Sequence, residues 1–213
     1  MIYIEYVFVC LAAPLIIALF CLGGKRKRQL LFLLGGMSAC FLSSYITTYL
    51  SFLVSAEGEF AVVEVAPFVE EVMKIAPILF YILAFSPKKE KLPESIIMVA
   101  VGFATFENVC YLLNNGAGNI VNLLIRGFGT GTMHVVCGMI VSLGILWLWE
   151  NRWLRFIGTL GLLSVAITFH GVYNILVSQE SPVAIAIGCL IPVVTMVVIL
   201  IISKKNSFFK SRG

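Results

Sequence analysis

The chain has 213 residues and a mass of 23.4 kDa; it is 60% hydrophobic, only 12% charged, and has a mean hydropathy of +1.02. A soluble domain carries about 25% charged residues and about 45–50% apolar ones, so this chain has too little charge to solvate a globule. That composition argues against a soluble enzyme, a nucleic-acid binder and a disordered tail alike.

Apolar runs broken by charged or Pro/Gly/Asn loops predict seven spans, at about 4–22, 30–54, 61–85, 95–113, 123–149, 156–177 and 183–202. Each is near the ~20 residues that a helical crossing takes. The expected fold is all-α: a polytopic transmembrane helix bundle forming a single integral membrane domain over residues 1–213. The first run does not read as a cleaved signal peptide. It carries Glu5, lacks a basic n-region, and is followed rather than preceded by its basic cluster.

The basic residues then test the count. Lys25, Arg26, Lys27 and Arg28, then Lys88, Lys89 and Lys91, then Arg152 and Arg155, then Lys204, Lys205, Lys210 and Arg212 make up 13 of the 15. With the N-terminus outside, all four clusters fall on the cytoplasmic side, as the positive-inside rule asks. The opposite loops hold no Lys or Arg and carry Glu57, Glu59 and Glu180. The pattern therefore predicts N-out, C-in. No internal repeat is visible, which counts against a transporter built from two related halves. The six cysteines are scattered through apolar segments with no CxxC pair, and read as small buried hydrophobes.

Ionisable groups in the hydrocarbon are costly and are functional candidates by default. They are Glu64, Glu70, Glu71 and Lys74 on span 3, Glu107 on span 4, Arg126 and His134 on span 5, and His170 on span 6. At ~1.5 Å per residue, Glu70 and Glu71 lie ~14 Å from the outer boundary, Glu107 ~9 Å, His134 ~16 Å and His170 ~10 Å. Four helices thus bring polar groups to one layer in the outer half of the membrane.

On span 3, Glu70 and Lys74 are four apart and share a face, while Glu71 points ~100° away and shares a face with Glu64. The expected division leaves Glu70 ionised against Lys74 and Glu71 desolvated and able to hold a proton, the split that acid–base chemistry uses. The competing reading is an ion pair that merely neutralises itself. On span 6, His170 and Asn174 project together and can polarise a carbonyl and donate to an oxyanion. His134 shares a face with Gly127, Gly131 and Gly138, so it serves equally as a packed histidine bonded to a neighbouring helix. The Gly127-Phe128-Gly129-Thr130-Gly131 stretch is no phosphate loop; helix packing is the expected reason for it. Glu64 and Arg126, each ~5 Å inside the outer boundary, are expected to bridge spans 3 and 5, with the lipid headgroup layer as the competing partner for Arg126.

Absences narrow the chemistry. The chain has no aspartate, no HExxH, no GxSG-like serine and no lysine in span 7. Aspartyl, zincin-type and rhomboid-type proteases and retinal proteins are therefore unsupported.

Glu70-Glu71-x-x-Lys74, Phe103-x-x-x-Glu107-Asn108, the histidine of the next span and His170-x-x-x-Asn174 resemble, in order and spacing, the PrsW family of bacterial intramembrane proteases. That family is distantly related to the type II CAAX prenyl endoproteases. The resemblance implies a peptidase of the bacterial plasma membrane. It would make the first, outer-side cut in a single-span anti-sigma factor during envelope stress, and a second intramembrane protease would then act on the same substrate. It implies that Glu70 and Glu71 activate water, that His170 is the second essential group, and that Asn174 donates to the oxyanion. Glu107 stands where the CAAX relatives have His, and His134 is the remaining site candidate. Zinc held by the two His and the Glu residues, and a glutamate-activated water without metal, suit these residues equally. The alternative from another class is a small proton- or ion-coupled transporter that uses the same carboxylates as a relay.

Overall fold

The computed structural model describes residues 3–54, 60–116, 120–148 and 151–205. Glu57, Glu59, Lys210 and Arg212, which entered the charge argument, lie outside them. The described backbone is helical almost throughout and contains no strand. In a bilayer each main-chain N–H and C=O must find its partner inside the protein, and a helix does this within one segment.

The elements are α1 (Ile4–Cys21), α2 (Gly24–Leu53), α3 (Ala66–Phe85), α4 (Leu92–Asn115), the short α5 (Ile120–Leu124), α6 (Gly131–Trp147), α7 (Arg152–Val177) and α8 (Pro182–Lys205). Two π-helical turns, Ala61–Val65 and Ile125–Thr130, run without a break into α3 and α6. The expected third and fifth spans are therefore continuous, but each begins with an over-wide turn.

Among the described residues, six segments are long and apolar enough to cross a membrane: Ile4–Cys21, Gly24–Leu53, Lys89–Asn115, Ile125–Leu146, Trp153–Val177 and Pro182–Ile202. α3 is 20 residues long and apolar as well, but it carries the three charged residues Glu70, Glu71 and Lys74. It lies within the bundle, packed on α2, α4 and α7, with Val69, Glu71, Lys74 and Ile78 buried. The chain is a multi-pass membrane protein.

The tightest crossing is that of α2 on α4. A Cβ built on Gly36 would fall 2.0 Å from the carbonyl oxygen of Val99, and one on Gly102 would fall 2.0 Å from that of Leu33. The two backbones touch, as small residues at membrane helix interfaces permit. At the helix starts, Glu94 receives Lys25 at 3.1 Å and Arg28 at 3.3 Å, and Gln29 adds a hydrogen bond. Phe8, Phe41 and Phe106 seat α1 against the pair.

Close packing accounts for the glycines around His134 only in part. A Cβ built on Gly138 would fall 3.2 Å from Ala100 Cβ and one on Gly129 2.9 Å from the Tyr173 hydroxyl, but one at Gly127 or Gly131 would touch nothing within 4 Å. The cysteines are all unpaired; Cys40 and Cys137 are buried as expected, whereas Cys10 and Cys21 lie exposed on the bundle's outer surface.

These contacts predict a contrast among glycines. Gly36→Ala and Gly102→Ala should each destabilise by at least the ~1–3 kcal/mol typical of overpacking. Gly131→Ala should stay within about 0.5 kcal/mol of wild type. Thermal unfolding of the purified protein in detergent measures both.

Candidate active site and metal centre

The helices that carry intramembrane charge bring it to one buried cluster. Helix α3 contributes Glu70, Glu71 and Lys74, α4 contributes Glu107, α6 His134 and α7 His170. Lys74 is the hub, and only 6% of it is exposed. Its Nζ lies 2.6 Å from Glu71 Oε1 and 2.6 Å from His134 Nδ1, and 4.6 Å from the centre of the Phe103 ring. An ammonium has three N–H donors and no acceptor. An anion, an imidazole nitrogen and an aromatic face surround it.

That donor-only character places the imidazole protons. His134 Nδ1 must accept from Lys74, so its Nε2 carries the hydrogen and donates to Glu107 Oε2 at 2.5 Å. The other oxygen of Glu107 accepts from Arg126 Nη2, whose guanidinium lies 4.3 Å from the centre of the Tyr111 ring. On the opposite side of Lys74, Glu71 Oε1 also accepts from His170 Nδ1 at 2.8 Å. His170 Nε2 keeps its lone pair and faces Glu70 Oε2 across 3.8 Å, too far for a hydrogen bond. Glu70 Oε2 is itself buried with no partner. The two imidazoles stand edge to face, 5.0 Å apart.

Two expected pairings are corrected. Lys74 takes Glu71, three residues back, and not Glu70. Spacings of three and four are equally available on a helix, and the partners His134 for Lys74 and His170 for Glu71 select the nearer one. The expected bridge between Glu64 and Arg126 is absent: Glu64 is exposed and Arg126 lies on Glu107. Equal depth does not fix direction: both residues belong to π-helical turns, whose wider i→i+5 winding departs from the α-helical setting.

Glu70, Glu71, Glu107, His134 and His170 come together as the sequence layer suggested. Asn174 follows His170 by one turn and is half-buried. The sequence left unassigned the seat that Phe103 makes for Lys74, the attachment of Arg126 to Glu107, and the 2.9 Å hydrogen bond between Thr130 and Tyr173 that ties α7 to the second π-turn. For Arg126 a signal existed, since Glu107 lies in the same outer layer.

The cluster also fits a metal ion. Glu70, His134 and His170 each offer one ligand atom, and these atoms lie within 4.8 Å of one another. Two imidazoles and a carboxylate form the donor set of catalytic zinc sites that keep a fourth position open. The unspent oxygen of Glu70 and the unspent nitrogen of His170 face each other. Glu71 behind His170 is the carboxylate that a ligating histidine usually has at its other nitrogen.

The family model described as PrsW family intramembrane metalloprotease matches residues 25–203. The chain belongs to the PrsW family. The match takes in α2 and every member of the cluster, so this PrsW protein is an intramembrane peptidase whose charged layer is the candidate active site. No curated protein and no solved structure matches it.

The contact between Arg126 and Glu107 predicts energetic coupling. Hydrogen bonds to charged groups contribute about 1.5–3 kcal/mol. Arg126→Met and Glu107→Gln should therefore be non-additive by that order in a double-mutant cycle of detergent stability. Glu64→Gln, at an exposed position, should change stability by less than about 0.5 kcal/mol.

Proposed function

We propose that this PrsW protein is a glutamate-dependent endopeptidase of the bacterial plasma membrane. It cuts a single-span anti-sigma factor near the outer face and so begins regulated intramembrane proteolysis under envelope stress. A second intramembrane protease then acts on the shortened substrate. The observation that carries the peptidase chemistry is the buried Oε2 of Glu70, which has no hydrogen-bond partner and faces His170 Nε2 across 3.8 Å.

Each residue of the chain has a distinct task in that reading. Lys74 holds Glu71 as an anion, and Glu71 orients His170 through Nδ1. Glu70 and His170 flank the place of the attacking water, and Glu70 Oε2 accepts its proton. The proton then passes to the leaving amine as the tetrahedral intermediate collapses. Asn174, one turn beyond His170, is assigned as donor to the oxyanion. Glu70 and His170, with His134 in reach, are the residues that would hold a metal. Such an ion supplies Lewis-acid polarisation and a more acidic bound water.

The position of the cluster supports an outer-side cut. Glu107 lies eight residues before the end of α4 and fifteen after its start, hence toward the end opposite Lys25, Arg28 and Glu94. With the basic clusters cytoplasmic, that end is outside. A transport relay has less support. Beneath Lys74 the bundle encloses a cavity of only about 20 Å³, walled by Ile75, Ile78, Ile96, Val141 and Ile145, which is room for about one water. The nearby hydroxyls of Ser95 and Ser142 donate to carbonyls four residues back in the chain.

In liposomes holding single-span test substrates, Glu70→Gln, Glu71→Gln and His170→Ala should each lower cleavage by about 10²–10⁴-fold, the usual worth of acid–base groups. Near-normal cleavage by all three, together with ion flux through the wild type, would favour the transporter. Cysteine labelling in spheroplasts should find Lys88, Lys89 and Lys91 replacements on the cytoplasmic side. Labelling of that loop from outside would reverse the site's orientation.

A further inference from the structure

His134 and His170 are the only histidines in the chain, and their nitrogens are engaged in opposite ways. His170 donates through Nδ1 to Glu71 and turns Nε2 toward Glu70 Oε2 across 3.8 Å. His134 has nothing left to offer. Nδ1 is 2.6 Å from Lys74 Nζ and Nε2 is 2.5 Å from Glu107 Oε2. Its ring is completely buried and touches Phe103, with centroids 5.2 Å apart.

Moving the hydrogen does not release a lone pair. If His134 were to ligate through Nε2, the hydrogen would shift to Nδ1 and oppose the Lys74 ammonium, donor against donor. If it were to ligate through Nδ1, the metal would have to displace that ammonium. In either tautomer the third ligand bond requires Lys74 to withdraw or to give up a proton. Lys74 has little room to withdraw, because Glu71 and the Phe103 ring hold the same Nζ.

We propose that the Lys74 ammonium and a metal ion compete for His134, so that Lys74 keeps this histidine out of the coordination sphere. The native chain then engages a metal through Glu70 and His170, and His134 acts as a hydrogen-bonded link between Lys74 and Glu107. The proposal rests on the metal fit described above and not on the identity of any substrate. It makes Lys74 a positioning residue that sets metal affinity, a role distinct from neutralising Glu71.

Direct zinc binding to metal-stripped, detergent-solubilised full chain, read by competition with a chromogenic chelator, tests this apart from proteolysis. Lys74→Met should bind zinc about tenfold or more tightly than wild type, within the 10–100-fold range that groups behind a ligand commonly control. The double variant Lys74→Met/His134→Ala should lose that gain. Because Lys74→Met leaves Glu71 buried without its cation and can fail to fold, a second measurement uses the unaltered protein. With ¹⁵N-labelled histidine, zinc should shift the His170 Nε2 resonance and leave both His134 nitrogens in place. The proposal is overturned if zinc moves His134 in the wild type, if His134→Ala alone weakens binding tenfold, if Lys74→Met binds no more tightly, or if neither chain binds zinc. Loss of cleavage with these binding results intact would count against the peptidase mechanism and leave the competition standing.

Discussion

One buried ammonium organises the charged layer of this protein. Removing an ion from water costs several kcal/mol even after relaxation, so Lys74 persists at 6% exposure only because each side of Nζ has a partner. Glu71 balances the charge, His134 accepts a hydrogen bond, and Phe103 offers its ring face. Those partners come from α3, α6 and α4. Satisfying one side chain thereby fixes the relative rotation of three helices, and through Glu71 it fixes His170 on a fourth.

The backbone crossing of α2 and α4 serves the same end from the other side. Gly102 allows α4 to lie directly on Leu33 of α2, and Phe103 is the next residue along. The ring beneath Lys74 is thus placed by a contact that tolerates no side chain, not by a flexible one. Glu107 follows one turn later on the same rigid segment and reaches His134. A site assembled from helices that cannot slide holds its groups more closely than one assembled on loops.

The two histidines show how neighbours make one residue type into two. A donor-only lysine forces the hydrogen of His134 onto Nε2, while a carboxylate draws the hydrogen of His170 onto Nδ1. One ring becomes a closed link and the other keeps a lone pair aimed at Glu70. This asymmetry separates the residues that hold the site together from those that meet water, metal and substrate.

Sequence alone determined the membrane class, the seven helical runs and the set of intramembrane charges, because apolar length and hydrocarbon cost are local properties of the chain. The described ends fall within a few residues of the expected spans, and Glu70, Glu71, Glu107, His134 and His170 do converge. The four ordered motifs also sufficed for the PrsW resemblance that the family match over residues 25–203 bears out. Which charge meets which was decided only by tertiary structure. Spacings of three and four left Lys74 a choice between Glu71 and Glu70, and the positions of His134 and His170 on other helices resolved it. Glu64 and Arg126 defeated extrapolation for a different reason: equal depth from the helical rise says nothing of direction, and both sit in π-turns with a wider winding. Proton positions on the two imidazoles lie further still from sequence, since a tautomer is set by the atom facing each nitrogen, and that atom comes from another helix.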